Sequence, residues 1–208
     1  MNKFVIGTFY TKNTPYQDIF NKFFLESVMQ YSDKLEWKVS VVENQGSWIK
    51  NVAQKPKVIL DMLDSMHEMG DDRALVFLDS DATIEKFPNI FNKIPEEIDM
   101  AFHRLDWSSW YRNGTNRKEL LTGTMFLRNN EKVRLVVKEW YEKAIKTDIW
   151  EQQVLEQILP GNLNIQELPL CYCYIKTMPN GSVPNVVCTE PVIVHHQVSR
   201  KLKKEINK

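Results

Sequence analysis

The feature that most constrains the fold is an uninterrupted apolar run, Leu75-Val-Phe-Leu, followed directly by Asp79-Ser-Asp81. Strands covered on both faces read as continuous apolar segments, whereas half-exposed strands alternate between apolar and polar residues. The run therefore predicts a buried strand over residues 74–78 of a largely parallel sheet. Because ligands bind at the carboxyl ends of strands in such sheets, the two aspartates stand where a binding site is expected.

Strand and helix patterns alternate along the first half of the chain and become more irregular in the second half. This order predicts an α/β fold in a single domain over residues 1–208. The first helix is expected to be capped by Thr14, and the second is expected to end before Gly70. The expected elements are strands over residues 4–9, 37–42, 74–78, 100–103 and 124–127, helices over 14–31, 56–69, 133–144 and 150–159, and short proline-broken strands over 165–194.

The overall charge excludes a general attraction to nucleic acid or to anionic membranes, because Lys plus Arg and Asp plus Glu number 27 each. The three cysteines, Cys171, Cys173 and Cys188, match no common zinc spacing and are expected to be reduced thiols. Apolar runs stay well short of the roughly 20 residues of a membrane span. We therefore expect a cytoplasmic protein.

The aspartate pair carries the main chemical signal. Two carboxylates one residue apart, where a buried strand opens into a loop, can converge on one cation, and hard oxygen ligands suit Mg²⁺ or Mn²⁺. A solvated acidic turn gives the same spacing, but the apolar residues directly before Asp79 favour a metal site.

A second signal is the short apolar strand Val192-Ile-Val, which leads into His195-His196 and then into Arg200-Lys201. One imidazole could complete a metal shell, and the cations could bind phosphates. Neighbouring residues on a strand point to opposite faces, so only one histidine should reach a given site. Structural or surface histidines are the alternative, and the spacing alone does not choose between the two residues.

The order and spacing of these motifs resemble those of GT-A-fold nucleotide-diphospho-sugar glycosyltransferases, in particular small enzymes distantly like glycosyltransferase family 8. The resemblance implies a GT-A-like, Rossmann-related fold, whose mixed, mainly parallel central sheet is flanked by helices. It also implies a nucleotide-binding half (about 1–105) and an acceptor-side half (about 106–208). The other segments that carry it are Gly7-Thr8-Phe9-Tyr10-Thr11, Trp48 with Asn51 and Lys55-Pro56, Asp99-Met-Ala-Phe-His-Arg104, Leu121-Thr-Gly123-Thr-Met-Phe and Trp150-Glu151-Gln152.

The resemblance further implies transfer of a sugar from a nucleotide-diphosphate donor, a UDP-sugar, to an acceptor hydroxyl with the help of Mn²⁺ or Mg²⁺. Asp79 would contact ribose and metal, Asp81 the metal, and Ser80 would lie between them at the donor. Thr8 and Tyr10 would line the nucleotide pocket, and Lys55 would approach the nucleoside or its phosphates.

The family places a lysine six residues after its metal-binding histidine. His195 and Lys201 have this spacing, so the resemblance favours His195 over His196 as the third ligand. The family's glycine and Lys-Pro-Trp ending is replaced here by Ser199-Arg200-Lys201, which leaves the phosphate contact open between Arg200 and Lys201.

The remaining implied roles concern the sugar and the acceptor. Glu151 would act as general base in an inverting enzyme, or would support the sugar and its oxocarbenium-like transition state in a retaining one. Arg104 and Asp106 would contact sugar hydroxyls, and Gly123 would let the backbone approach the sugar closely.

A polar aromatic segment, Asp106-Trp107-Ser-Ser-Trp110-Tyr111-Arg112, is expected to form a loop that offers a wall to the acceptor, unless it is simply tucked onto the core. The acceptor could be a glycan, a protein, a lipid-linked sugar or modified nucleic acid. A nucleotidyltransferase is a rival, although its usual glycine-rich loop is absent after the first strand. A non-catalytic nucleotide- or sugar-binding protein of the same fold is another.

Overall fold

A computed structural model describes residues 2–111, 115–177, 184–198 and 202–203 of this chain. The strands are β1 (Phe4–Thr11), β2 (Trp37–Val42), β3 (Ala74–Leu78), β4 (Ala82–Ile84), β5 (Met100–Asp106), β6 (Lys118–Leu127), β7 (Ile165–Glu167), β8 (Tyr174–Ile175) and β9 (Ile193–His195). The helices are α1 (Tyr16–Ile19), α2 (Glu26–Met29), α3 (Trp48–Val52), α4 (Lys55–Glu68), α5 (Trp107–Tyr111), α6 (Glu131–Ala144) and α7 (Glu151–Ile158), and a π-helical segment (Phe20–Leu25) joins α1 to α2.

The centre of the molecule is a six-stranded sheet in the order β2-β1-β3-β6-β5-β7. The pairs β1–β2, β1–β3 and β5–β7 are parallel, whereas β6 runs antiparallel to both of its neighbours. This arrangement confirms the predicted mixed, mainly parallel sheet.

Helices cover both faces of the sheet, and alternate residues of each central strand enter opposite cores. Leu75 and Phe77 pack with α4, α6 and α7 on one face, while Val76 and Leu78 pack with the helical segment 16–29 on the other. Every residue of β3 is fully buried, which confirms the buried strand predicted from its continuous apolar run.

Several elements extend beyond their predicted ends because pairing partners continue them. β1 reaches Thr11, since it pairs with β2 as far as Thr11 opposite Val42. β5 and β6 continue past a β-bulge between Phe102 and Arg104 and remain paired to the start of β6. The aromatic segment predicted as a loop is helix α5. At the start of α1, the Thr14 hydroxyl accepts a hydrogen bond from the backbone N–H of Tyr16 at 3.3 Å.

A second sheet has the order β4-β9-β8 and lies next to the carboxyl end of β3. Its strand β9 pairs antiparallel with β4, so that His195 stands opposite Ala82. The pairing carries the C-terminal strand to the turn that follows β3. Within the described ranges, every helix is too short or too polar to cross a membrane.

Candidate active site

The principal cleft opens at the carboxyl ends of β1 and β3, the position predicted for a ligand site. It holds about 980 Å³ of empty space, including solvent at its open mouth. Residues from both predicted halves of the chain line it: Phe9, Tyr10, Thr11, Tyr16, Trp48, Asn51, Val52, Lys55, Asp79, Ser80, Asp81, Leu121, Thr122, Gly123, Trp150, Glu151, Gln152, Cys173, Ile175, His195 and Gln197.

Asp79, Asp81 and His195 converge in this cleft, with one ligand atom of each within 4.8 Å of the others. The backbone N–H of Asp79 donates to the Gly123 carbonyl at 2.9 Å, and the N–H of Ala82 donates to the Asp79 carbonyl at 2.9 Å, which closes the turn between them. Asp81 Oδ2 accepts the backbone N–H of Val198 at 2.8 Å. Two carboxylates and an imidazole are ligands that suit Mg²⁺ or Mn²⁺.

The surroundings of His195 favour the neutral form of its imidazole, which is the form that binds metal ions. It is buried, and burial lowers its pKa to about 4 although the nearby charge of Asp79 acts in the opposite direction. Its Nε2 lies 2.8 Å from Thr124 Oγ1, and its Nδ1 lies 4.0 Å from Asp81 Oδ1. A hydroxyl that fixes one ring nitrogen leaves the other for a metal, as is usual around ligating histidines.

His196 points away from this cluster. Its Nε2 lies 3.2 Å from Thr83 Oγ1, and its ring stacks on Phe23 with 4.4 Å between the ring centroids. The structure therefore brings His195, and not His196, to the two aspartates. That His195 binds a metal stays a prediction.

Gly123 makes the convergence sterically possible. A Cβ atom at this position would lie 2.8 Å from Cε1 and 3.0 Å from Nδ1 of His195, and 3.3 Å from Oδ2 of Asp79. These distances are shorter than the usual carbon contact of about 3.5–4.0 Å, so a side chain would press directly on two of the three candidate ligands.

Lys55, the first residue of α4, forms a buried ion-pair network beside the cluster. Its Nζ lies 2.8 Å from Asp79 Oδ1 and 3.0 Å from Glu151 Oε1, and it donates to Thr122 Oγ1 at 3.1 Å. Burial by itself would lower the pKa of Lys55, but Asp79 and Glu151 outweigh that effect and raise it. Lys55 is thus held charged, and it links Asp79 to Glu151.

Glu151 begins α7 and is fixed from several sides. Thr122 Oγ1 donates to Glu151 Oε1 at 3.0 Å, and Trp140 Nε1 donates to the Glu151 carbonyl at 2.6 Å. The adjacent Gln152 accepts the backbone N–H of Thr122 at 3.2 Å. A carboxylate and a carboxamide therefore face the cleft from the start of one helix.

Aromatic side chains also line the cleft. Trp48 and Trp150 pack edge to face with 5.5 Å between the ring centroids, and Lys203 Nζ lies 4.5 Å from the Trp48 ring centroid. Tyr10 lines the cleft as predicted and packs on Phe20 at 4.9 Å. Such a wall can bind a base or a sugar ring by stacking.

Two polar groups in this region are unsatisfied. The Tyr16 hydroxyl and Thr8 Oγ1 are buried and have no hydrogen-bond partner in the part of the chain that the structure describes. Burial, with the charge of Asp81, raises the pKa of Tyr16. Thr8 is fully buried in β1 and is not among the residues that line the cleft, and its contact with a nucleotide stays a prediction.

Other predicted residues lie away from the cleft wall. Asp106 accepts the backbone N–H of Ser108 at 2.9 Å and its hydroxyl at 2.6 Å, so it caps α5, and Arg104 lies over the ring of Phe102. Their contact with sugar hydroxyls stays a prediction. Arg200 and Lys201 fall outside the described residues.

The acceptor wall predicted at Trp107 and Trp110 is wrong for Trp110. This side chain is only 3% exposed and packs with Leu105, Leu121 and Cys173, so a sugar cannot stack on it. Trp107 is part-buried and its indole N–H donates to Glu119 Oε2 at 2.7 Å.

Polar residues in and around the cleft that have no role predicted from the sequence include Tyr16, Glu119, Thr122 and Thr124. Tyr16 was interpreted only as part of a helix start. The signal for the other three is a set of polar residues on both sides of Gly123 in an otherwise apolar strand, where a polar group needs a partner or a ligand.

Comparison with solved structures supports a transferase fold. A glycosyltransferase involved in glycosylation of the major capsid of PBCV-1 is 13% identical, with 98% of this chain and 100% of that chain covered and a TM-score of 0.62. The galactosyltransferase LgtC, solved with donor and acceptor sugar analogues, is 10% identical over 97% of this chain and 94% of its own, with a TM-score of 0.57. The bifunctional glycosyltransferase WbbM is 11% identical over 93% of this chain, which spans 45% of WbbM, with a TM-score of 0.60.

No curated protein matches the sequence. The family model described as nucleotide-diphospho-sugar transferase, however, matches residues 44–207, which include both aspartates, Lys55, Gly123, Glu151 and His195. The chain has the fold of GT-A glycosyltransferases, and it belongs to the nucleotide-diphospho-sugar transferase family.

Proposed function

We propose that this protein is a metal-dependent glycosyltransferase that moves a sugar from a nucleotide-diphosphate donor, a UDP-sugar, to an acceptor hydroxyl. The observation that carries the proposal is the convergence of Asp79, Asp81 and His195 in the cleft, directly beside the Lys55–Glu151 pair. In the proposed reaction, the first feature would hold the diphosphate through a metal ion and the second would face the sugar.

The three side chains fit Mn²⁺ or Mg²⁺ by their chemistry. Asp79 uses Oδ1 for Lys55 and presents Oδ2 toward Gly123 and His195, while Asp81 uses Oδ2 for Val198 and has Oδ1 on the His195 side. When bound, such a cation neutralises the diphosphate and stabilises it as a leaving group. The protein's part is to hold these oxygens and the neutral imidazole in place before the donor arrives.

Glu151 and Lys55 would act on the sugar side. Because Lys55 and Thr122 both donate to Glu151 Oε1, the negative charge of Glu151 is fixed at the wall of the cleft. A fixed carboxylate stabilises positive charge that develops on the sugar ring during departure of the diphosphate. We expect this electrostatic support to be the role of Glu151, in preference to proton abstraction from the acceptor.

The nucleoside would lie against the aromatic wall. Tyr10 and Trp150 are part-exposed and line the cleft, and the buried Tyr16 hydroxyl has no hydrogen-bond partner among the described residues. Ser80 lines the cleft between the two aspartates, within reach of the same ligand. Together they form the donor end of the cleft.

The experiment that tests the proposal is a thermal-shift screen of nucleoside diphosphates and nucleotide sugars, with and without Mn²⁺. A ligand at 100 times its Kd stabilises the native state by about 2.7 kcal/mol, which raises the Tm of a domain of this size by roughly 5–10 °C. We expect a shift that requires both Mn²⁺ and a uridine nucleotide. Absence of a shift with every nucleotide in both metal conditions would overturn the proposal.

A product assay then separates the chemistries. Release of free nucleoside diphosphate supports glycosyl transfer, release of pyrophosphate indicates a nucleotidyltransferase, and binding without either product indicates a non-catalytic protein. Asp61→Asn is the matched control for changes at Asp79 or Asp81, because Asp61 lies on the exposed surface of α4 and pairs with Lys57, away from the cleft. The acceptor panel should include glycans, proteins, lipid-linked sugars and modified nucleic acid.

A further inference from the structure

Glu119 is a buried carboxylate that lies outside the cleft wall and has no part in the proposed chemistry so far. Its side chain is on β6, four residues before Gly123, and only 7% of the residue is exposed. Oε1 accepts the side-chain amide of Gln152 at 2.7 Å, and Oε2 accepts the indole N–H of Trp107 at 2.7 Å. Burying a charge is costly unless it is well hydrogen-bonded, so such a group is expected to serve a defined purpose.

These contacts determine which way the Gln152 carboxamide points. A carboxylate only accepts hydrogen bonds, so the NH₂ group of Gln152 must face Glu119. On its other side, Gln152 Oε1 accepts the backbone N–H of Thr122 at 3.2 Å, and a backbone N–H only donates. Both partners therefore impose the same orientation, and the amide oxygen is held beside Thr122 on the cleft wall.

The oriented amide lies next to the sugar-side carboxylate. Thr122 Oγ1 donates to Glu151 Oε1 at 3.0 Å and lies 3.5 Å from Gln152 Oε1, so one threonine joins the two side chains. A carbonyl oxygen has two lone pairs, and the Thr122 N–H uses one of them. The other can accept a hydrogen bond from a hydroxyl bound in the cleft.

We propose that Glu119 is a positioning residue for glycosyl transfer, which acts by locking the Gln152 carboxamide with its oxygen toward the reacting sugar. This inference rests on the proposed function, because it assigns the oriented oxygen to a sugar or acceptor hydroxyl. Glu119 itself touches no substrate. Its bond to Trp107 joins α5 to the same wall, but of the two contacts of Glu119 only that of Oε1 acts on Gln152.

The first test is the substitution Glu119→Gln, which keeps shape and removes the charge. An amide at position 119 has one oxygen and one NH₂ group, so it can no longer accept from both Gln152 and Trp107, and only the Thr122 N–H still favours the native orientation of Gln152. We expect kcat to fall by about 10- to 100-fold, as is typical when a reacting group is misplaced, with the donor KM changed less than about threefold. An unchanged kcat would overturn the proposal.

A reciprocal exchange distinguishes orientation from general stability. Gln152→Glu alone sets two buried carboxylates against each other and should also lower kcat. The double variant Glu119→Gln/Gln152→Glu restores one donor and one acceptor across the 2.7 Å contact and still presents an oxygen to Thr122. We expect it to recover most of the activity lost in each single variant, whereas a purely structural role predicts that melting temperature changes and kcat does not.

Trp107→Phe is the matched control, since it removes the other hydrogen bond to Glu119 and leaves the Gln152 contact in place. Its readout is the exchange of the Gln152 side-chain NH₂ with water, which should stay slow, and not kcat, because Trp107 is itself a predicted acceptor contact. Rapid exchange in Trp107→Phe would show that the contact with α5 is what orients the amide, and would overturn the assignment to Glu119.

A measurement without turnover keeps this inference separate from the proposed function. In a ¹⁵N NMR spectrum, the side-chain NH₂ of Gln152 should exchange slowly with water in the native protein and in Trp107→Phe, and rapidly in Glu119→Gln. Rapid exchange in the native protein would overturn the proposal whatever the activity. If no nucleotide sugar is turned over while the amide is protected, the proposed function fails, and with it the role in transfer, but the orientation by Glu119 stands.

Discussion

Gly123→Ala is the substitution that most directly tests how the candidate metal ligands converge. The added Cβ would lie 2.8 Å from Cε1 of His195, whereas non-bonded carbons normally approach to about 3.5 Å, so the ring must move by roughly 0.7 Å. Metal–ligand distances tolerate deviations of only about 0.2 Å. The required movement is therefore several times larger than a metal site accepts.

The ring has little room to adjust in another direction. His195 is 2% exposed and its Nε2 is held 2.8 Å from Thr124 Oγ1, while Asp79 Oδ2 lies 3.3 Å from the same added atom. We expect Mn²⁺ affinity to fall by about 10- to 100-fold, the range found when the surroundings of a ligating histidine are disturbed. Overpacking should also cost about 1–3 kcal/mol of stability.

The assay is calorimetric titration of the folded variants with Mn²⁺, after circular dichroism has shown that each variant is folded. Gly161→Ala is the control, because a Cβ at Gly161 meets no heavy atom within 4 Å. It makes the same change to the unfolded chain without touching the site. If Gly123→Ala bound Mn²⁺ as tightly as Gly161→Ala, the reasoning that this glycine allows the ligands to converge would be refuted.

Three further predictions concern the same cluster. Asp81→Asn should abolish Mn²⁺-dependent nucleotide binding with a change in unfolding free energy of less than about 1 kcal/mol, because an amide oxygen can still accept the Val198 N–H; retained binding in calorimetry would contradict this. His195→Ala should weaken Mn²⁺ binding, whereas His196→Ala should leave it unchanged, because His196 packs on Phe23; the opposite ranking would exchange their roles. In protein freed of metal by a chelator, burial lowers the pKa of His195 to about 4, so the folded state binds fewer protons than the unfolded state between pH 6.5 and 4. Urea unfolding should therefore show stability falling by on the order of 3 kcal/mol as pH drops through this window, and His195→Gln should remove that slope.

The sequence was sufficient to locate the aspartates because the evidence for them is local. The apolar residues of β3 and the two carboxylates after it form one continuous pattern. In the structure, β3 is fully buried and the two aspartates line the cleft at its carboxyl end, as expected. Tyr10, Lys55, Glu151 and His195 also line the cleft, and they were found through a resemblance spread along the chain. Their metal, sugar and phosphate roles remain predictions.

Contacts between distant segments were beyond the reach of local patterns. Trp110 was expected to face an acceptor, but Cys173 and Ile175, far along the chain, cover it. Similarly, the approach of Lys55 to a ligand could be expected, whereas its simultaneous pairing with Asp79 and Glu151 depends on how α4, β3 and α7 meet. Such pairings between distant residues cannot be derived from composition or from local sequence patterns.

The direction of β6 explains why the sequence did not predict most of the polar residues of this strand at the site. Because β6 runs antiparallel to β3, its second half lies in the core, with Leu127 opposite Leu75 and Thr124 opposite Leu78. Its first half continues past the end of β3 along β5, and this extension carries Thr122 and Gly123 to the cleft and Glu119 to its contact with Gln152. A strand predicted only over residues 124–127 contains the part that stabilises the fold and omits the part that builds the site. Substitutions at residues 125–127 should therefore act mainly on stability, and those at residues 119–123 mainly on ligand binding and turnover.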